Sequence, residues 1–191
     1  MPVFSLRPRV FFGLIALLWV AVFFVCVWND QAVPPLFRLS TPALVRAGAL
    51  ALPLHSPLAL VRLAFSWLVH VDSIHLLSNL LALSCVAHAW PQTDRVVGPL
   101  GLGVAVSGAA SILVHRGAAT ICCGGSGVLL ALLPTAVVSA PSRLRAAICL
   151  IAGVPLFGSG FFPAGDWAAH VGGLAAGILW PPPRMSSSCS G

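Results

Sequence analysis

The feature that most limits the fold of this sequence is an uncharged apolar run from Val10 to Trp28. Its length matches the about 20 residues that an α-helix needs to cross the hydrocarbon layer of a membrane. The run follows Arg7 and Arg9, and basic residues also precede the apolar segment of a secretion signal. However, the run is longer than the about 7–15 apolar residues of a signal peptide, and no cleavage site follows it. We therefore predict a membrane-spanning helix.

The composition of the whole chain is also that of a membrane protein. Hydrophobic residues make up 59% of the 191 residues and charged residues only 7%, whereas about 25% of the residues in soluble proteins are charged. Too little polar surface is available to cover a water-facing globule. This excludes a soluble enzyme, a disordered chain and a disulfide scaffold.

The charged residues and cysteines indicate no nucleic-acid partner, metal or cofactor. The net charge of +6 comes from ten arginines spread along the chain against four aspartates, so no basic cluster is available to meet a phosphate backbone. The six cysteines are scattered through apolar stretches without metal-ligand spacing, which is typical of small hydrophobic residues.

Five further apolar segments, each bounded by polar residues, glycines or prolines, lead to a prediction of six membrane helices. The predicted spans are Val10–Trp28, Ile74–Trp90, Val96–Val114, Ser126–Ala140, Leu144–Phe162 and Asp166–Trp180. The predicted fold class is an all-α membrane protein, a six-helix bundle whose fourth helix is short and starts inside the membrane.

The domain organisation follows from these spans. Residues 10–180 are predicted to form one six-helix membrane domain, with a long first loop at about 30–71 that lies at the membrane interface. If the N-terminus is cytoplasmic, six arginines lie on that side and four on the other, in agreement with the positive-inside rule. We therefore expect a cytoplasmic N-terminal segment 1–9 and tail 181–191, in a bacterial inner membrane.

The fourth predicted helix is too short to cross the membrane. Its about 15 residues rise roughly 22 Å, while the hydrocarbon layer is roughly 30 Å thick. Ser126 should therefore lie below the outer membrane surface, and residues 117–125 must reach it as non-helical backbone. Such backbone is tolerated at that depth only when protein buries it or a water-filled cavity adjoins it, so a cavity inside the membrane is predicted.

Polar side chains inside membrane helices are candidates for function because they are costly to bury there. His75 and Asn79 are four residues apart and project from one face of the second span. Ser126 opens the fourth span between glycines, next to the partial positive charge of a helix N-terminus. His170 lies about one turn inside the sixth span and is followed by Gly173 and Gly177, a small-residue stripe that allows close helix packing.

Each of these residues also has a structural interpretation. Ser126 alone is typical of a helix cap, the glycine stripe of plain helix packing, and His75 and Asn79 of hydrogen bonds between helices. The combination is more informative, because a nucleophile, a base and anion-binding donors lie on three helices at one predicted depth. The combination favours a catalytic site.

The motifs resemble those of the rhomboid intramembrane serine proteases over the whole six-helix core. The matching positions are the histidine and asparagine pattern of the second helix (His70, His75, Asn79), the Gly-x-Ser-Gly segment (Gly124, Ser126, Gly127) and the pattern that begins at Ala169-His170 and ends at Gly177. Asp94 before Gly98 matches an acidic residue of the family, and its tryptophan-arginine pair is present only in part, as Val61-Arg62. The small size also resembles the rhombosortase branch, which trims C-terminal anchors of bacterial surface proteins.

The mechanism expected from the residues agrees with the one that the resemblance implies. Ser126 attacks a peptide carbonyl of a transmembrane or juxtamembrane substrate segment while His170 accepts its proton. His75, Asn79 and the Ser126 backbone N–H are the expected oxyanion donors. No acidic residue lies deep in a span, so we predict a dyad, with Asp166 as the cap of the sixth helix and His70 bonded to loop backbone.

Two other functions are compatible with the sequence. A rhomboid-like pseudoprotease would bind membrane segments without cutting them, but such proteins typically lack the serine or the histidine. A small transporter or proton relay would use His75, His88 and His170, but neither an inverted repeat nor a second broken helix is visible in the sequence.

Overall fold

The computed structural model describes residues 7–34, 36–54, 57–91, 96–159 and 165–180. Several predicted features lie outside the described residues. They are most of the N-terminal segment, Asp94, the end of the fifth predicted span after Ser159, and the tail 181–191.

Helices make up most of the described chain, close to the bounds that the sequence predicts. They are α1 (Pro8–Asp30), α2 (Thr41–Ala47), α3 (Ser73–Ala89), α4 (Val97–His115), α5 (Ser126–Ser139), α6 (Ser142–Ile148), α7 (Val154–Ser159) and α8 (Trp167–Leu179). A π-helical turn at Cys149–Gly153 joins α6 to α7.

The lengths of these helices fit a membrane protein. Within the described ranges, three helical segments are long and apolar enough to cross a membrane, namely α1, α4 and the joined segment Ser142–Ser159. The helices α3, α5 and α8 are apolar but shorter. The predicted all-α membrane class is confirmed in this coarse form, while the count of six crossings stays a prediction.

The segment predicted as a long first loop is more ordered than expected. It contains α2, two 3-10 helices (Pro57–Ala64 and Ser66–Leu68) and the short strand β1 (Leu50–Leu52). The guanidinium of Arg62 donates to the carbonyl oxygens of Val45 in α2 and of Ala49 just after this helix. These bonds attach the first 3-10 helix to the end of α2.

One element departs from the all-α prediction. The strand β1 pairs antiparallel with β2 (Thr120–Cys122), which lies in the predicted non-helical segment before Ser126, and Leu50 faces Cys122 in this register. A strand of three residues is too short to show an alternating pattern in sequence, so the sequence did not predict it. The sheet connects the first loop to the segment that leads into α5.

The helix α5 lies at the centre of the bundle. Every residue from Ser126 to Leu133 is buried, as expected for a helix that is apolar on all sides. Both α4 and α8 pack against it, and α3 covers another side. The residue at its N-terminus is therefore enclosed by three other helices.

The glycines of α8 form the closest contact in this packing. A Cβ atom at Gly173 would overlap the carbonyl group of Gly127, and one at Gly177 would overlap the carbonyl group of Ala131. The two backbones touch directly because these glycines have no side chain. The predicted small-residue stripe thus faces α5 rather than lipid.

We expect Gly177→Ala to destabilise the protein. The added methyl group meets backbone, which cannot rotate away, and overpacking of this kind costs about 1–3 kcal/mol. Thermal unfolding of the purified protein in detergent measures the effect. The control is Gly101→Ala, because a Cβ atom at this exposed helical glycine has no neighbour within 4 Å. Equal melting temperatures for the two variants would contradict the backbone contact.

Candidate active site

Ser126 and His170 meet inside the bundle. Ser126 is the first residue of α5 and His170 the fourth residue of α8. Ser126 Oγ lies 2.6 Å from His170 Nε2, and the two residues are only 5% and 4% exposed. A serine hydroxyl and an imidazole at this distance have the geometry of a nucleophile and its general base.

Two glycines shape the chain just before Ser126. Gly124 has a φ angle of +108°, which residues with a side chain rarely adopt, and a Cβ atom there would overlap the His75 imidazole. A Cβ atom at Gly125 would overlap the Trp19 indole. The segment can therefore pass closely between α3 and α1 only because both residues are glycines.

The helix α3 presents His75 to the same place. Asp72 caps this helix by accepting a hydrogen bond from the His75 backbone N–H at 2.8 Å. The His75 side chain lines the cavity that also contains Ser126 and His170. The structure thus brings together three of the predicted site residues.

Asn79 lies one turn farther along α3 and is 1% exposed. Within the described part of the chain, neither its Oδ1 nor its Nδ2 atom has a hydrogen-bond partner. A buried amide without a partner is costly, and such groups are common at sites where a ligand completes the bonding. Asn79 is not among the residues that line the cavity.

His70 lies against backbone of the first loop. Its Nδ1 atom lies 3.3 Å from the carbonyl oxygen of Leu68, the last residue of the second 3-10 helix of that loop. Its ring packs edge-on between the Trp19 indole, at 5.0 Å between ring centroids, and the His75 imidazole, at 5.2 Å. Sequence analysis did not single out Trp19, because nothing in the α1 sequence indicates which of its residues meets the Gly124–Gly125 segment.

A cavity of about 520 Å³ opens in front of Ser126. Its wall includes polar groups from several elements, among them Ser66, Ser107 and Asp166, beside apolar residues such as Ile121. Its size lies within the range of about 300–1,000 Å³ typical of ligand sites. A cavity at this point agrees with the expectation drawn from the short fourth helix.

The surroundings of the His170 ring agree with a dyad. No carboxylate is hydrogen-bonded to this imidazole among the residues that the structure describes. The backbone of Phe157 on α7 lies within hydrogen-bonding reach of the ring. Among the described residues, the His170 Nδ1 atom makes no hydrogen bond of standard geometry. Asp166 instead caps α8 by accepting from the Ala169 N–H at 3.0 Å, as predicted.

The geometry gives no support to a histidine relay. His88 is exposed on α3 and does not line the cavity that His75 and His170 share. In the described ranges, no group of three or more histidine, cysteine or acidic side chains has the arrangement of a metal site.

Comparison with known proteins agrees with this site. A family model described as a Rhomboid domain matches residues 57–186, which include all of the predicted site residues. No curated protein and no solved structure matches the chain. Because the family model covers more than half of the chain, this integral membrane protein belongs to the rhomboid family, whose members are typically intramembrane serine proteases.

Proposed function

We propose that the protein is a serine endopeptidase that cleaves transmembrane or juxtamembrane segments of other membrane proteins by a Ser126–His170 dyad. The observation that carries this proposal is the 2.6 Å distance between Ser126 Oγ and His170 Nε2. Both residues line a cavity, and both belong to the region that matches the family.

The reaction proceeds in two steps. Ser126 Oγ attacks the scissile carbonyl carbon while His170 Nε2 accepts the hydroxyl proton and then donates it to the leaving amine, so that an acyl-enzyme forms. A water molecule from the cavity then attacks the ester, again with His170 as base, and Ser126 leaves with the proton. The new carboxyl end and the restored dyad complete the cycle.

The oxyanion formed in each step has three candidate donors. The N-terminus of α5 carries backbone N–H groups that no described side chain caps, and a helix N-terminus favours negative charge. The His75 imidazole lines the same cavity. The buried Asn79 amide has no hydrogen-bond partner among the described residues, which supports a role that begins when the substrate or the transition state is present.

The substrate class follows from the position of the site. An intact helix uses its carbonyl groups in its own hydrogen bonds, so a cleavable segment has to unwind locally to expose a carbonyl to Ser126. A small residue at the cleaved position agrees with the family resemblance. The proposal places six crossings in a bacterial inner membrane, with a cytoplasmic N-terminus and the cavity near the outer surface.

A pseudoprotease is the alternative within the same family. Such a protein would bind a membrane segment and leave it intact, and it would have no need for a serine and a histidine in contact. The retained pair, at hydrogen-bonding distance, favours the enzyme.

The first test replaces the nucleophile. Ser126→Ala should abolish cleavage of a transmembrane substrate and labelling by a fluorophosphonate probe, without loss of thermal stability, because a hydroxyl at a cavity contributes little to packing. The control is Ser84→Ala, which removes an exposed hydroxyl of α3 that donates to the Leu80 carbonyl of the same helix. Cleavage at the normal site by purified Ser126→Ala protein would show that another residue is the nucleophile.

The second test replaces the base. His170→Ala should slow both cleavage and fluorophosphonate labelling of Ser126 by at least about a thousandfold, because the hydroxyl then keeps its proton. His88→Ala, a change at the exposed histidine of α3, is the matched control and should keep wild-type rates. Normal labelling of His170→Ala would assign the base to a different group.

The third test concerns the oxyanion donor. Asn79→Ala should lower kcat by about 10²–10³-fold, the usual effect of losing one such donor, and the melting temperature should stay unchanged because no internal hydrogen bond is removed. Binding of a substrate segment to Ser126→Ala protein should not change when Asn79→Ala is added, because the charge exists only in the transition state. Weaker binding by the double variant would make Asn79 a substrate-docking residue.

A further inference from the structure

The Asp166 carboxylate contacts three elements of the fold, α8, α4 and β2, at the N-terminal end of α8. It accepts the Ala169 N–H of its own helix at 3.0 Å and the hydroxyl of Ser111 on α4, and the His115 Nε2 atom of α4 lies 3.2 Å away. The side chain of Cys122 on β2 lies against the same carboxylate. We refer to Ser111, His115 and Asp166 as the α4–α8 cluster.

The cluster is close to the reacting groups. Ser111 and Asp166 line the same cavity as Ser126 and His170, and the Asp166 side chain is only 12% exposed. The backbone carbonyl of Asp166 accepts the N–H of His170 at 3.2 Å. Asp166, which is bonded to α4, is therefore also bonded to the backbone of His170.

A simple helix cap does not need such partners. Asp72 caps α3 through the His75 N–H and, within the described residues, makes no side-chain hydrogen bond to another element. Asp166 makes the same kind of cap and adds two partners from α4. The additional partners hold the first turn of α8 in place relative to α4, which a cap alone does not do.

We propose that Asp166 is a positioning residue for His170, acting through the α4–α8 cluster. The inference rests on the dyad of the proposed function, and it identifies the residue that orients the base of that dyad, His170. The glycine contacts fix the middle of α8 against α5, and the cluster fixes its first turn against α4. Together the glycine contacts and the cluster fix the position of α8 along its axis and its rotation, and these determine where the imidazole lies relative to Ser126 Oγ.

This role matters because the imidazole has no carboxylate of its own among the described residues. Its position depends on the helix that carries it, and a displacement of about 1 Å in a reacting group can slow a reaction by about a hundredfold. The carboxylate also lies about one helical turn from the imidazolium that forms during catalysis, where its negative charge is favourable.

The experiment compares fluorophosphonate labelling of Ser126, and kcat and KM for a transmembrane substrate, in Asp166→Asn, Asp166→Ala and wild-type protein. Asparagine keeps one acceptor oxygen, which can retain the cap on the Ala169 N–H, but its amide nitrogen replaces the oxygen that accepts from Ser111 and the charge is removed, so we expect about tenfold slower labelling and lower kcat. Alanine removes every bond of the cluster, and we expect about a hundredfold decrease. KM should stay unchanged, because in this proposal Asp166 acts through α8 and not on the substrate.

Two further variants and a control separate position from stability. Ser111→Ala and His115→Gln each remove one partner from α4 and should lower kcat less than Asp166→Ala. Asp30→Asn is the control, because Asp30 accepts the backbone N–H and the hydroxyl of Ser40 and so links α1 to α2 away from the cavity. It should keep the wild-type labelling rate.

The possible outcomes distinguish this inference from the proposed function. If Asp166→Asn and Asp166→Ala are labelled at the wild-type rate at temperatures below their melting temperatures, Asp166 is a plain cap, and the inference alone is overturned. This holds even where the melting temperatures of the variants are lower than that of the wild type. An increase in KM at constant kcat would also overturn it, since Asp166 would then bind substrate. A wild-type protein that the probe does not label at all would overturn the proposed function and this inference with it.

Discussion

The direct backbone contact between α8 and α5 is the constraint on which the rest of the site depends. Gly173 lies on the carbonyl group of Gly127 and Gly177 on that of Ala131. Inside a membrane, lipid is as apolar as the helices, so association relies on close van der Waals packing rather than on exclusion of water. This closeness brings a histidine on one helix within 2.6 Å of a serine on the other.

The second constraint is the short length of α5, which leaves irregular backbone before Ser126 that must be covered by protein. The first loop supplies part of this cover through the pairing of β1 with β2, and α1 supplies another part where Trp19 lies against Gly125. Under the proposed function, the cavity that remains in front of Ser126 admits water and an unwound peptide to the serine. The same arrangement then covers the irregular backbone and leaves room for the reactants of a hydrolysis.

The proposed dyad obtains its geometry from helices instead of from a third side chain. In a soluble triad, an acid bonded to the imidazole fixes its tautomer and direction. Here α8 is held by glycine contacts along one side and by Asp166, Ser111 and His115 at its start. The acidic residue that sequence analysis assigned to the cap thus has partners on a second helix, and the i, i+4 spacing of Ser111 and His115 is the signal that could have revealed them.

The sequence by itself determined the membrane class, the approximate helix bounds and the candidate residues of the site. Apolar runs, caps such as Asp72 and Asp166, and glycines beside Ser126 act within a few residues of chain, so their effects can be predicted locally. Only the tertiary structure decided that Leu50 pairs with Cys122, that Trp19 packs beneath Gly125, and that Asp166 is bonded to α4. These contacts join residues far apart in the chain, and they depend on how whole helices pack, which no local pattern encodes.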